Sequence, residues 1–498
     1  MRKYIIFCLL SFVLCPLSIQ AQDSVKVAKK AAVKSHLQQH FKPYGFIRNY
    51  FTYDSRECMA GSGDLYFYQP KDESWNVSTQ ADAEAAGVER QDLNDQSSFR
   101  FLSLTTRVGL NITGYKWRKT EFTGKIEADF FAGLSTVSKT QADGTVLKQT
   151  HAVSGTAQLR LRQAYVSLAW DSLRMNSKDY ARVELTLGQT WHPMAADLCD
   201  VIALNSGAPF GPFNRSPQVR MDARLGTIFT LTAAGLWQMQ YNSTGPEGQS
   251  AEYMAYSKTP EVYLGFSFHG KGILMRAGAD VLSIKPRHQG AALDASGKPI
   301  THVVNGKDVA YQVKVSDRLT TVSPFLYLQY KKGEFSVKAK TILAEAGEHM
   351  NMNGGYGVSK VNEDGSYEYT PTRHSSSWIS LVYGGKVGAQ EDKHPQKLQG
   401  ILFAGYIKNF GTKSALWDAD QDGKADMFYF PRGENMNQMW RLTPTLLYTV
   451  GKFQVGIEYD ITSVQYGKGG ISAASGLAEK DLHWVTNHRV QVMTKFNF

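Results

Sequence analysis

Cysteine is scarce in this chain of 498 residues: there are four, and Cys8 and Cys15 fall in its opening segment. The remaining two, Cys58 and Cys199, cannot make a disulfide scaffold, although a single bridge between them stays open. Long apolar runs are also missing. Past the opening segment no stretch offers the roughly 18 apolar residues that a membrane helix needs, and mean hydropathy is −0.32. No Pro-rich or Ser-rich linker or composition break divides the chain, as two or three soluble domains would require. The net charge is +10, but no clustered Lys/Arg run carries it, so a nucleic-acid partner is not expected. There is no G-x-S-x-G elbow, H-E-x-x-H motif, Walker loop or zinc-ligand spacing. An enzyme is therefore not the expectation.

What is present begins at Met1. Arg2 and Lys3 precede an apolar stretch from Tyr4 to Leu17, and Ile19-Gln20-Ala21 ends in the small residue that signal peptidase needs. Residues 1–21 thus read as a cleaved signal peptide, with the mature chain starting near Gln22. In residues 22–42, Val33, Leu37 and Phe41 recur every four positions, which suggests a short periplasmic helix. The barrel proper is expected over 43–498.

Period-two alternation dominates the rest. Leu102, Leu104, Thr106, Val108, Leu110 and Ile112 share one face, with Ser103, Thr105, Arg107, Gly109 and Asn111 on the other. Phe122 to Phe130 repeats the scheme. Such ribbons are half-buried in a soluble protein, or lipid-facing on one side in an outer membrane, and the connections choose between the two. Sixteen strands are expected, near 44–54, 98–113, 119–134, 153–170, 180–191, 217–225, 227–241, 257–269, 272–285, 317–331, 334–346, 375–388, 398–410, 438–450, 453–466 and 484–498. Short turns such as His269–Gly272, Tyr330–Gly333 and Val450–Lys452 alternate with long loops such as 55–97, 192–216, 286–316, 347–374 and 411–437. Long loops at one end and tight turns at the other describe an all-β, 16-stranded antiparallel transmembrane β-barrel, inserted in the outer membrane of a Gram-negative bacterium. Tyr330-Lys-Lys-Gly333-Glu-Phe335-Ser-Val337 and Tyr448-Thr-Val-Gly451-Lys-Phe453-Gln-Val455 flank their turns with aromatics, as an interfacial girdle would. The closing strand ends at Phe498, the kind of terminal aromatic that barrel-assembly machinery reads.

Arginines recur at lumen-facing positions: Arg48, Arg107, Arg160, Arg162, Arg220, Arg224 and Arg276, joined by Lys125, Lys338 and Lys340. Low-dielectric walls focus their field on the water between them, which favours small anionic solutes. Glu127, Asp129, Glu458 and Asp460 are the acids that could offset it. The third external connection, 192–216, is unusually apolar: His192-Pro-Met-Ala-Ala, Val201-Ile-Ala-Leu and Ser206 to Phe213. It is expected to fold into the barrel and narrow it, with Asp197 and Asp200 set against the arginines in a transverse field. In the seventh external loop, Asp418, Asp420, Asp422, Lys424 through its carbonyl, and Asp426 follow the alternating pattern of a Ca²⁺ loop, with Gly423 at the sharp turn. Position twelve is Tyr429 instead of glutamate, so the affinity should be modest unless Glu434 or another loop contributes.

The stretches Arg160-Leu-Arg162-Gln-Ala-Tyr165, Leu187-Gly-Gln189-Thr-Trp191 and Arg215-Ser-Pro-Gln-Val-Arg220 resemble the DcaP-like outer-membrane porins. The similarity extends over about 44–498 and is motif-grade in 160–224. It implies a sixteen-stranded homotrimer with an inward third loop, a basic lumen lined at its constriction by Arg160, Arg162, Arg220 and Arg224, and small organic anions as solutes. The long N-terminal coiled coil of some members is reduced here to 22–42. The expectation is a passive outer-membrane porin that prefers anions, surrounded by lipid. The alternatives are an adhesin or scaffold barrel with calcium-stabilised loops, and an outer-membrane barrel enzyme.

Overall fold

The computed structural model describes residues 39–61, 66–103, 105–140, 146–171, 181–294, 298–387 and 394–498. The expected signal peptide and nearly all of the expected helix over 22–42 lie outside them. Where that helix was to end, Phe41 and Lys42 already belong to the first strand.

Among the described residues, sixteen antiparallel strands form one closed sheet. They are β1 (Phe41–Asp54), β2 (Ser98–Leu102 and, after a break, Arg107–Trp117), β3 (Thr120–Thr140), β4 (Val146–Asp171), β5 (Ala181–Trp191), β6 (Arg215–Leu225), β7 (Phe229–Leu236) and β8 (Glu261–Gly270). The second half comprises β9 (Ile273–Ile284), β10 (Leu319–Lys332), β11 (Phe335–Glu345), β12 (Tyr367–Tyr383), β13 (Gln396–Thr412), β14 (Met436–Val450), β15 (Phe453–Lys468) and β16 (Lys480–Asn497). Closure runs through β1, which pairs with β16 from Phe46↔Asn497 to Asp54↔Arg489 and with β2 on its other edge. The sheet thus closes on itself, and the open edges that remain among the described residues include those of the β3–β4 hairpin, beyond Asp129 on β3 and before Ala164 on β4.

The alternation is inverted relative to a soluble protein. Along β10, Thr321, Ser323, Phe325 and Tyr327 are buried inside, whereas Val322, Pro324, Leu326 and Leu328 stand exposed outside. On β16, Arg489 and Gln491 are buried, while Val490 and Phe496 are exposed. Burying a single such side chain is worth about 1.5–3 kcal/mol, so a whole belt of them left in water would be untenable, and hydrocarbon is the solvent that suits it. Tyr330, Phe335, Tyr448, Phe453 and Phe496 ring the end with the tight turns. There Tyr330 pairs with Val337 and Tyr448 with Val455, with Gly333 and Gly451 both at φ 56° inside the turns, a backbone angle that favours glycine.

Some strand boundaries differ from expectation. β7 stops at Leu236 instead of continuing to 241: the Trp237 amide still bonds the Pro217 carbonyl at 2.9 Å in register with β6, but on the β8 side the next residue opposite is Pro260, which has no amide to donate. The fourth external loop therefore spans 237–260 and carries a short helix, Glu252–Ser257. β3 and β4 extend to Thr140 and from Val146, so the second connection is a long hairpin. Cys58 and Cys199 are both free thiols, and the open question of a bridge closes against it.

Candidate functional site

The third connection, residues 192–214 between β5 and β6, runs through the barrel interior as its composition predicts. Met194, Ala195, Phe210 and Phe213 are buried in it, and burying the larger of these side chains stabilises the inward path by about 1.5–3 kcal/mol each. A chain segment inside a barrel must also satisfy its own backbone, and here the walls do so. Tyr50 on β1 donates its hydroxyl to the Ile202 carbonyl at 2.6 Å, and Glu458 on β15 accepts from the Ile202 amide at 2.9 Å. Lys340 on β11 donates to the carbonyls of Met194 (2.8 Å) and Asp197 (2.6 Å). Arg441 on β14 donates to Ala208 at 3.1 Å. The first external loop joins from above: Tyr66–Pro70 folds inward, and the Phe67 carbonyl accepts from Asn205 at 3.1 Å. The loop 55–97 is thus partly internal instead of lying wholly outside as expected.

This arrangement leaves two basic cavities. One, of about 220 Å³, lies between the third loop and the wall of β1 to β4. Arg48, Arg107, Arg160, Arg162 and Lys495 line it, facing the apolar flank of the loop at Leu198, Leu204 and Phe213. Asp129 is the acid on its surface, with Glu127 behind. A β-bulge aims Arg162. The β3–β4 register slips between Glu127↔Gln163 and Ala128↔Leu161, so Arg162 and Gln163 both turn inward. Arg162 then bonds Glu127 at 3.0 Å and also reaches Asp129, while Arg160 makes a two-pronged contact with Asp129 at 3.0 and 3.1 Å. Arg107 lies 3.5 Å from Glu127. Arg48 donates instead to the Thr105 hydroxyl at 3.0 Å, and Arg48 and Lys495 both lie against the Phe46 ring, at 4.9 and 4.6 Å.

The second cavity, of about 410 Å³, opens against β5 to β9. Arg182, Arg220, Arg224 and Arg276 line it together with Glu184 and Asp222. The four arginines that the family resemblance put at one constriction are thus divided, Arg160 and Arg162 in the first cavity and Arg220 and Arg224 in the second. The acids of the loop also face differently from expectation. Asp197 pairs with Arg276 at 3.1 Å and Asp200 with Lys338 at 2.6 Å, on β9 and β11. They tether the loop to one wall, and Glu127 and Asp129 are the acids that answer Arg160 and Arg162. Lys495, on β16, is a cation of the first cavity that the expected ladder does not include.

In the seventh loop, carboxylate oxygens of Asp418, Asp420 and Asp422 converge within 4.8 Å of one another. Asp418 accepts from the Asp422 and Gly423 amides at 3.1 and 2.9 Å, and Gly423 takes φ 84°. The Lys424 ammonium bonds Asp422 at 2.7 Å and holds its carboxyl below the usual range. Asp426 turns back to accept from the Ala419 amide at 2.7 Å. Tyr429, at position twelve, packs its ring on Tyr356 in a different cluster.

Searches of known proteins matched no family model and no curated protein. Among solved structures, the outer-membrane channel DcaP of Acinetobacter baumannii matches with a TM-score of 0.51 at 15% identity, over 92% of this chain and 97% of that one. OmpT, an outer membrane protein of Vibrio cholerae, matches with a TM-score of 0.41 at 10% identity over 92% and 97%. The anion-selective porin from Comamonas acidovorans does so at 0.40 and 11% over 92% and 99%. The DcaP-like resemblance read from residues 160–224 holds at the level of fold.

Proposed function

We propose that this chain is an outer-membrane porin through which small hydrophilic solutes diffuse passively, anions ahead of cations. The observation that carries the reading is the first cavity. Five cations line it against one surface carboxylate, and an inward loop presses the passage toward them. Counting Glu127 as well as Asp129, the balance there is 5 − 2 = +3. A chloride or an organic carboxylate in that space is stabilised and a potassium ion is repelled. The mature chain is inserted by the barrel-assembly machinery after loss of residues 1–21, and its assembly is the homotrimer that the family resemblance implies. The test is the reversal potential of the purified protein in a planar bilayer under a KCl gradient. A potential of the sign set by chloride supports the reading, and one set by potassium overturns the anion preference.

A structural Ca²⁺ bound by Asp418, Asp420 and Asp422, with the Lys424 carbonyl and Asp426 completing the loop, is part of the same proposal, supported by the converging carboxylates. The scaffold reading draws on that loop too. It predicts calcium-dependent surface binding by a barrel that passes no current.

A further inference from the structure

Where the third loop enters the barrel, four side chains from four separate segments meet in a fully buried pocket. His192 opens the loop, Glu261 begins β8, Asp280 lies on β9, and His349 belongs to the sixth external loop; none is more than 1% exposed. His192 Nε2 is 2.9 Å from Glu261 Oε1 and 3.5 Å from Asp280 Oδ1, and His349 Nε2 is 3.5 Å from Glu261 Oε1 and 3.8 Å from Asp280 Oδ2. Tetrahedral zinc with bonds of about 2.0–2.1 Å sets neighbouring donor atoms about 3.3 Å apart, and these four imidazole–carboxylate separations bracket that value; His192, Glu261 and Asp280 offer donors that all lie within 4.8 Å of one another, and His349 must move in to close the tetrahedron.

The hydrogen bonding points the same way. His349 Nε2, Glu261 Oε2 and Asp280 Oδ1 are buried atoms with no hydrogen-bond partner. His349 Nδ1 lies 3.1 Å from the Ala346 carbonyl, which keeps the proton on that nitrogen and turns the Nε2 lone pair toward the carboxylates. That is the second-sphere arrangement of a metal-binding imidazole. Two carboxylates and an imidazole lone pair facing one another in a dry pocket repel unless a cation or protons lie between them. The Tyr263 ring edges onto His192 and helps close the pocket.

From this geometry we propose a zinc site whose ligands are His349 Nε2, Glu261, Asp280 and His192 Nε2. Two carboxylates and two neutral imidazoles balance Zn²⁺ exactly in charge, and the donor set of nitrogen and oxygen suits it. His192 must change tautomer to join. Its Nδ1 accepts from the Met194 amide at 3.2 Å, so its Nε2 carries the proton in the metal-free chain. Binding moves that proton to Nδ1, which keeps the ring neutral, and gives up this long contact. The role is structural: the ion ties the entry of the constricting loop to β8, β9 and the sixth loop, where Phe213 already donates to the Met350 carbonyl at 2.9 Å. The site stands independently of the anion preference.

The experiment uses the full mature protein in detergent, without a histidine tag. After chelator washing it is loaded with ZnCl₂, passed over a desalting column and assayed for metal by mass spectrometry. Co²⁺ is loaded in parallel for its visible absorption. The expected result is about one zinc per chain and the strong d–d bands of a tetrahedral Co²⁺ site. His349→Ala should weaken zinc binding by more than the roughly 10–100-fold that loss of an outer-shell partner costs. If that variant does not fold, Glu261→Gln is read instead, since it keeps the side-chain volume and an acceptor for His192. His302→Ala, whose ring stacks on Tyr311 in the fifth loop, should load like the parent. Retention of almost no zinc by the parent, with protons holding the cluster together, overturns the proposal, as does full loading of both ligand variants.

Discussion

Replacing Arg48 and Lys495 by glutamine removes two cations from the first cavity that lack a carboxylate partner among the described residues: Arg48 bonds the Thr105 hydroxyl, and Lys495 lies against Phe46. Taking an ion about 6 Å from each charge, Coulomb's law through water gives about 0.7 kcal/mol per charge. That is about threefold in chloride occupancy and about threefold, in the opposite sense, for potassium. The chloride-to-potassium permeability ratio should therefore fall about tenfold for each charge removed. A drier passage enlarges the effect, and salt screens it, so the measurement belongs at low ionic strength. The assay is the reversal potential of each single variant and of the double variant in planar bilayers with 10 mM and 100 mM KCl, at about 30 Å and 10 Å Debye lengths. A change below about twofold in the double variant would show that ions do not pass these residues, and the electrostatic reasoning would be wrong.

Arg162→Ala takes one cation from the buried carboxylates Glu127 and Asp129 but leaves them Arg107 and Arg160, so it should destabilise the barrel by about 1.5–3 kcal/mol, read by urea unfolding in detergent; a loss under about 1 kcal/mol would mean that water reaches the cluster. Asp197→Asn with Asp200→Asn releases the two ion pairs to Arg276 and Lys338, so single-channel conductance should become larger or noisier; an unchanged trace would leave the loop held by its apolar anchors alone. Chelating Ca²⁺ should speed protease cutting within 418–434, and Asp418→Asn with Asp420→Asn should abolish the difference; equal cutting with and without calcium counts against the ion.

The barrel was legible because a two-residue period and the alternation of tight turns with long loops are local properties of the chain. The inward third loop was legible for a similar reason, since His192 to Phe213 is too apolar to lie in water. The partners of individual charges were not. The turn of Arg162 toward Glu127 and Asp129 depends on a bulge, which shifts a register without leaving a mark in a single sequence. Asp197 and Asp200 reach β9 and β11 because of where the loop crosses the barrel, and that follows from anchors as distant as Tyr50 and Arg441. The end of β7 is not legible because Trp237 and Met239 continue the apolar alternation past Leu236, where the pairing with β8 ends. His192, Glu261, Asp280 and His349 carry no motif spacing at all, and only the closed barrel brings them together.

Passive diffusion requires a water-filled interior enclosed by a wall whose apolar side faces lipid. Ionic current through the purified, folded protein in a planar bilayer tests this most directly. Stepwise insertions, each adding a steady ohmic conductance in symmetric KCl, are the predicted result. A protein that inserts folded, as shown by its heat-modifiable migration, and carries no current would contradict the account.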